Sequence, residues 1–312
     1  MEILFETPAL KEPEAHEILW RFIRPCHVKS FLEGGLYFAQ LTQFNDFYEA
    51  ITPMHYLLIS MAKRSINWKC ERAKSGIESF LNQFKNLWTA LDWNLFLTQF
   101  RLITGIAYEA EDFWPTITHL TENLEGIYTK HRKTQESFYS SCWFIGDFDE
   151  SAMMWQCYSE PGGVAVRTTY ERLKSNLKIH FENLNRFELQ NGIKKVITGK
   201  VEYHKYALIA SWVESMTKGV PLPFFKHDSF KNENEFRIVL EKEAGFSNEF
   251  QQKQNIFHAN LDDFRIILHP SSQITDIEKL KQMSSYSYGL NILMSELSYR
   301  LIPPQLLKTE EQ

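Results

Sequence analysis

The sequence predicts an α+β fold with a mixed, mainly antiparallel sheet. Segments with strand character and segments with helical character are interleaved, but they do not form a regular strand–helix repeat. The last strand-like segments follow one another closely, like neighbours in hairpins. A long helical stretch also interrupts the strands near the N-terminus. These three observations favour α+β over a doubly wound parallel sheet, which requires regular alternation.

The N-terminal part predicts a strand, a helix and a second strand. Residues 17–23 are short, apolar and partly alternating, which is typical of a strand. Residues 27–35 have helical character and end at Gly34-Gly35, a helix stop. Residues 36–40 form the second predicted strand, and residues 41–50 a polar turn.

Residues 54–133 predict a helical insertion. Apolar residues recur there three and four positions apart, and strand-like runs are absent. The insertion separates the second predicted strand from the rest of the sheet. We therefore expect a single α+β domain over 1–312, with 54–133 as an insertion or cap.

The remaining chain returns to short strands and helices. The predicted strands are 137–145, 164–168, 194–204 with a bend at Gly199, 231–240, 255–261, 264–270 and 291–298. The predicted helices are 151–159, 169–177, 207–216 and 274–283.

Charge and composition exclude several classes of protein. A formal charge of -5 and a pI of about 6.1 argue against binding nucleic acid mainly through general electrostatics. The four cysteines form neither a CxxC pair nor zinc-finger spacing, which favours reduced thiols. The acidic N-terminus does not resemble a signal peptide, and no apolar run is long enough to cross a membrane. We expect a cytoplasmic protein with no membrane contact.

Common catalytic motifs are also missing from the sequence. No GxGxxG opens a helix, and no GxSxG, HExxH or EF-hand loop occurs. The stretch GIKKVITGKV is unlike a phosphate loop, because Val201 stands where Ser or Thr must hold magnesium. Candidate functional residues therefore come from three other segments.

The first segment is FNDFYEA, which contains Asn45, Asp46 and Glu49. Asn and Asp favour turns through bonds to nearby backbone, and Glu49 has capping-box spacing from Asp46. A structural turn is one interpretation. The other places these polar groups at the mouth of a site, at the end of the second strand.

The second segment is SAMMWQCYSEPGG. Trp155 and Tyr158 lie three positions apart and share a helix face. Gly162 and Gly163 follow, and they permit a positive φ or a close backbone approach. The segment is either a core aromatic pair followed by a plain turn, or an aromatic wall for a planar ring.

The third segment is KNENEFRIVL. Side chains of a strand alternate between two faces, so apolar residues at 236, 238 and 240 share one face. Glu233, Glu235 and Arg237 share the other, and Lys226 precedes them. The charged stripe is either a solvated face with weak cross-strand ion pairs or a catalytic carboxylate oriented by an arginine.

These segments resemble an uncharacterised bacterial family catalogued as domain of unknown function 2971. The resemblance is carried by LYFAQLTQFNDFYE, MMWQCYSEPGGVAV and the later Lys-to-Arg strand, across about positions 18 to 270. Phe47 replaces a usual Pro, and Phe230 a usual Trp. The positions that match the family pattern are Arg21, Asn45, Asp46, Glu49, Trp155, Tyr158, Gly163, Lys226, Glu233, Glu235 and Arg237.

A second resemblance implies a reaction. ILWRFIRPCHVKSFLEGGLYFA is similar in layout to the opening of ADP-ribosyltransferases, and NEFRIVL is similar to their catalytic strand. The resemblance makes Arg21 or Phe22 the first nicotinamide contact, Tyr37 the stacking residue and Glu235 the acid. The histidine common at the first position is missing. This is an analogy of layout.

The leading hypothesis is an ADP-ribosyltransferase-like enzyme that uses NAD, within a phage-defence or toxin system. Glu235 would polarise a ribose hydroxyl and stabilise an oxocarbenium-like transition state. Tyr37 or Trp155 would pack on the nicotinamide, while Arg237 and Lys226 would orient the acid and the phosphate. We expect Glu235 and Arg237 to face one pocket together with Asn45 and Trp155.

Two alternatives remain open. A non-catalytic module would recognise a small nucleotide or a protein in the same pocket. A magnesium-dependent hydrolase or nuclease would use Asp46, Glu49, Glu233 and Glu235, because clustered carboxylates suit a hard cation. The sequence does not identify a protein or nucleic-acid acceptor.

Overall fold

The computed structural model confirms the α+β class and the mixed, mainly antiparallel sheet. It describes residues 2–4, 8–44, 46, 48–51, 56, 59, 124–146, 150–183, 193–205, 215, 218–242, 261–284 and 290–300. In these parts of the chain, no helix is both long and apolar enough to cross a bilayer.

The strands are β1 (Glu2–Leu4), β2 (Ile18–Ile23), β3 (Ala39–Gln40), β4 (Phe138–Gly146), β5 (Val164–Thr169), β6 (Ile193–Lys200), β7 (Glu202–His204), β8 (Phe225–His227), β9 (Glu235–Lys242), β10 (Arg265–Leu268) and β11 (Asn291–Leu293). The main sheet has the strand order β1-β6-β9-β4-β2-β5-β10-β11. The pairs β6–β9, β4–β2, β2–β5 and β5–β10 are antiparallel, whereas β1–β6 and β10–β11 are parallel. Strands β7 and β8 form a separate parallel pair.

Local sequence accounts for the helix ends. Pro25 occupies the first turn of its helix, where its missing N–H costs nothing, and Gly34 follows the helix with a φ of 86°. Ser151 caps another helix by accepting from the Met154 amide at 3.3 Å. The helices are α1 (Pro25–Leu32), α2 (Leu124–Glu136), α3 (Ala152–Tyr158), α4 (Tyr170–Asn183) and α5 (Thr275–Met283).

The two faces of the main sheet carry different cores. We call the face bearing Leu19, Trp143 and Phe236 the A face; its side chains belong to the larger apolar cluster. The opposite B face carries Trp20 and Phe144, whose cluster includes residues of α3. Because side chains alternate along a strand, each strand residue can be assigned to one face.

The chain divides into two compact units. The first contains 1–39, 139–200 and 232–312, and the second contains 40–138 and 201–231. The predicted insertion, 54–133, belongs to the second unit, and most of it lies outside the described residues. Its described end is helical, as α2.

Several predicted strands differ from those observed. The strand predicted at 36–40 is reduced to β3, and the one predicted at 291–298 ends at Leu293 and gives way to a 3-10 helix, Glu296–Arg300. Strands β10 and β11 are parallel rather than hairpin neighbours, because α5 connects them and provides the crossover that parallel strands need.

The strand predicted at 194–204 breaks at Val201 instead of bending at Gly199. Gly199 serves a packing need: a Cβ there would lie 2.8 Å from the Leu10 side chain. The helix predicted at 207–216 and the strand predicted at 255–261 lie almost entirely outside the described residues.

Candidate functional site

The charged stripe begins at a backbone kink. Residues Asp228–Glu233 form a 3-10 helix, so Glu233 is not part of the strand, which starts at Glu235. Between them Asn234 has a φ of 42°. Its carbonyl accepts from the Ile145 amide at 2.8 Å, and its side-chain amide donates to the Ile145 carbonyl at 3.0 Å. These two hydrogen bonds of Asn234 attach the kinked segment to β4.

Glu235 and Arg237 form a buried bidentate pair on the B face. Arg237 Nε and Nη2 donate to the two carboxylate oxygens of Glu235 at 2.8 and 2.9 Å. Glu235 is 2% exposed and Arg237 fully buried. Burial, followed by the nearby Glu235 charge, raises the pKa of the Cys142 thiol, which keeps that thiol protonated. The predicted solvated face is therefore interior.

Glu233 contacts the aromatic wall formed by α3 and the B face. The Tyr158 hydroxyl donates to its carboxylate. The Tyr158 ring lies 4.9 Å from Phe144, and the Trp155 ring meets Phe22 edge-on at 5.0 Å. These aromatic contacts join Glu233 and the predicted ring-binding residues of α3 into one cluster on the B face.

Trp155 is anchored inside this cluster. It is buried, and its indole N–H donates to Glu150 at 2.9 Å. Glu150 also accepts from the Ser295 hydroxyl and the Glu296 amide. Tyr158, at the next turn of α3, is only half-buried. The aromatic pair predicted from its spacing therefore combines a core residue with a partly accessible one.

Arg21 and Tyr37 lie on the other side of the sheet. Arg21 pairs with Val166, a residue of the A-face core, so its side chain points to the A face. Its guanidinium donates to Ser141 Oγ and to the Tyr37 carbonyl. Of the two residues predicted as first contact, Phe22 shares the B face with Glu235 and Arg21 does not. Tyr37 likewise lies beside Arg21, which donates to its carbonyl.

The predicted Asn-Asp turn belongs to the second unit. Asp46 Oδ1 accepts from the Tyr48 amide at 2.9 Å, as expected for a side chain that stabilises a turn. Glu49, 1% exposed, lies 3.5 Å from the ammonium of Lys226, which is itself 7% exposed and stacks on Phe230. Asn45 lies outside the described residues, so its expected proximity to Glu235 stays a prediction.

Helix α2 is tied to the segment that carries this turn. The Gln135 amide donates to the Glu49 carbonyl at 3.0 Å, and the Gln40 amide donates to the Glu136 carbonyl at 2.9 Å. Between these elements lies a cavity of about 320 Å³. Its lining includes Phe44, Asp46, Glu125, Tyr128, Thr129 and Arg132.

Of the residues lining this cavity, only Asp46 is among the binding residues predicted from the sequence; the α2 residues are not. Residues 125, 128, 129 and 132 follow the three-and-four spacing of one helix face. That stripe was readable in the sequence. The turn supplying Asp46 is far away along the chain, however, and only the fold brings the two segments together.

The candidate residues show no metal-ligand cluster. In the described ranges, no group of three or more His, Cys, Asp or Glu side chains could hold a metal ion. No protein-family model, curated protein or solved structure matches the chain. The resemblances to domain of unknown function 2971 and to ADP-ribosyltransferases remain predictions.

Proposed function

We propose that the protein binds a small nucleotide in the cavity between α2 and the Asp46 turn, with NAD as the candidate ligand. The observation that carries this proposal is the cavity's lining, which combines aromatic, carboxylate and guanidinium side chains. Its volume of about 320 Å³ lies at the lower end of the range of small-molecule pockets, so it would hold part of a dinucleotide, with the rest of the ligand outside.

The aromatic side chains suit a base. Phe44 and Tyr128 are both half-buried, so part of each ring is accessible from the cavity. Stacking of a nucleobase on such a ring typically contributes about 1–3 kcal/mol. The two rings would contribute affinity with little dependence on base identity.

Arg132 suits a phosphate. Its side chain is 70% exposed, and its Nε lies 3.9 Å from the Glu136 carboxylate, at the long end of an ion pair. Such exposed pairs contribute about 0–1 kcal/mol. Arg132 can therefore turn to a phosphate, which the guanidinium binds through paired hydrogen bonds.

The carboxylates favour NAD among nucleotides. Asp46 and Glu125 can accept hydrogen bonds from ribose hydroxyls. They also place negative charge near the ligand, and this favours the cationic nicotinamide ring of NAD over a neutral base. The site would thus bind the anionic diphosphate in the middle of NAD through Arg132 and favour its cationic nicotinamide end through the carboxylates.

Variants of α2 test this proposal. We expect NAD to raise Tm, because a ligand that binds only the native state must stabilise it. Arg132→Gln should weaken the Kd for NAD, measured by calorimetry, about 10-fold. Lys133→Gln removes the same charge from the next, exposed position of α2 and serves as the matched control.

Two results would contradict the binding proposal. One is an unchanged Tm with NAD, AMP and adenosine, each at millimolar concentration. The other is an equal loss of affinity in Arg132→Gln and Lys133→Gln, because that would indicate general electrostatics rather than this cavity.

A second candidate function is transfer of ADP-ribose from NAD, or its hydrolysis, on the B face. Supporting this candidate, Glu235 opens its strand and is oriented by Arg237, while Glu233 contacts Tyr158 beside the aromatic wall. In that reaction the bond between nicotinamide and ribose C1′ breaks, and nicotinamide leaves with the electron pair. Water or an acceptor nucleophile bonds to C1′ and releases a proton.

Nicotinamide release separates the two functions. The transferase candidate expects release from NAD, and expects Glu233→Gln and Glu235→Gln each to reduce it about 10²-fold or more. Glu241→Gln, later on the same strand, is the control. Circular dichroism of each variant separates loss of chemistry from loss of fold. Binding without release in the natural sequence would exclude this candidate and leave the binding proposal standing.

A further inference from the structure

We propose a second ligand site, for a phosphate-class anion, where β2 meets α1, with Arg21 and Arg24 as its cationic residues and the imidazole of His27 beside them. This site lies in the first unit and does not depend on the nucleotide proposal. Arg21 has neutral surroundings, positive charge lies beside it, and solvent reaches both.

Arg21 is a half-buried cation, and its contacts within the described residues are all with neutral groups. In the described part of the chain it donates to Ser141 Oγ and to the Tyr37 carbonyl, and its Cζ lies 5.7 Å from the centre of the Trp143 ring. None of these partners is a carboxylate. Burial lowers the pKa of Arg21 to about 10, which still leaves the group charged at neutral pH.

An uncompensated cation in this position is costly. Charges removed from water are normally paired, because neutral partners do not replace the solvation that the ion has lost. The two hydrogen bonds of Arg21 use only part of the N–H donors of a guanidinium. An anion would provide the missing charge and bind the remaining donors.

Two more polar groups belong to this region, the cation Arg24 and the imidazole of His27, on which the charges of both Arg21 and Arg24 act. The ring of His27 stacks on Tyr37 with 4.1 Å between centroids, and the Tyr37 carbonyl accepts from Arg21. Burial lowers the pKa of His27, and the charges of Arg21 and Arg24 lower it further. The first turn of α1 contains no acidic residue. These groups therefore create a local positive potential.

A ligand can reach these groups from solvent. Arg24 is exposed, and Arg21, His27 and Tyr37 are each only partly buried. Phosphate is the best match, because a guanidinium binds it through two parallel hydrogen bonds and a second arginine can share its dianionic charge. Carboxylates and chloride offer less charge and fewer acceptors.

Inorganic phosphate is the probe for the first test. It is titrated into the full chain at constant ionic strength, with Kd from calorimetry. Arg24→Gln should weaken binding about 10-fold. Lys29→Gln removes an exposed charge from the same helix and should leave Kd within about twofold.

His27 reports binding independently of these variants. A bound phosphate dianion should raise the pKa of His27, measured from its imidazole proton resonances as a function of pH. Equal loss of affinity in Arg24→Gln and Lys29→Gln, or a His27 pKa that phosphate leaves unchanged, would overturn the site.

The source of the phosphate is tested with AMP, adenosine and inorganic phosphate side by side. Tighter binding of AMP than of inorganic phosphate, again dependent on Arg24, would identify a phosphate ester as the ligand. Equal binding would identify the free anion. Adenosine should bind only in the α2 cavity, so Arg24→Gln should leave its binding unchanged; a loss of adenosine binding in Arg24→Gln would contradict recognition through phosphate.

Discussion

Arg237 donates hydrogen bonds to both carboxylate oxygens of Glu235, which lies two positions earlier on the same strand. Both side chains are buried. Two residues apart on a strand, the side chains share a face, so the pairing is local. Its burial is not local, because it depends on the packing of the B face. At a surface such an ion pair would contribute little to stability. In the interior, removing one partner leaves the other charge buried and unpaired, which is strongly destabilising.

Glu235→Gln should destabilise the fold by about 3 kcal/mol, because it leaves the buried Arg237 charge uncompensated. Urea unfolding measures this change. Glu241→Gln breaks the exposed pair with Lys194 and should cost less than about 1 kcal/mol. The double variant Glu235→Met with Arg237→Met should be more stable than Glu235→Gln, since it buries no charge. If Glu235→Gln and Glu241→Gln have equal effects, the pair is not buried in solution.

Asn234→Ala should destabilise the protein by about 2–3 kcal/mol. Alanine lacks the polar side chain that helps asparagine to adopt a positive φ, which is 42° here. The change also removes the hydrogen bond to the Ile145 carbonyl. Asn234→Gly keeps access to the positive φ and loses only the side-chain bond, so it should be milder. Thermal and urea unfolding would compare the two. A glycine variant less stable than the alanine variant would contradict this account.

Gly163→Ala should cost about 3 kcal/mol, because a Cβ there would lie 2.3 Å from Ser159 Oγ and 2.5 Å from the Ile23 carbonyl oxygen. Gly126→Ala is the matched control, since nothing lies within 4 Å of its added Cβ. It lies on α2, where alanine should stabilise by about 1 kcal/mol. If the two substitutions change the free energy of unfolding in the same direction, the predicted contrast is wrong.

His27 should make the protein less stable in mild acid. Its folded-state pKa lies below the ordinary value of 6.5, so the unfolded chain binds more protons between the two values. Stability therefore falls as pH drops from about 6.5 through the folded pKa, and it is restored as pH rises. His27→Gln should flatten this part of the stability–pH profile, whereas His16→Gln, at an exposed position, should not. Identical profiles for both variants would contradict the prediction.

Local sequence was sufficient to predict most elements around the site. Alternation predicted β2 and the apolar face of β9, and the Ser151 cap and Gly34 stop mark helix ends that short-range chemistry determines. Alternation also placed Glu235 and Arg237 on one face. It could not predict the kink at Asn234, which depends on hydrogen bonds to Ile145 on another strand.

The sequence by itself predicted the α+β class from the order of its elements, and it placed Trp155 with Tyr158 and Glu235 with Arg237 on shared faces, because a shared face depends only on the spacing of residues a few positions apart. Only the tertiary structure decided that Arg21 lies on the A face while Phe22 joins Glu235 on the B face, since strand order and burial assign the faces. It also joined Asp46 to the α2 stripe in one cavity. Such neighbours are far apart in sequence, and their proximity depends on how the whole chain packs.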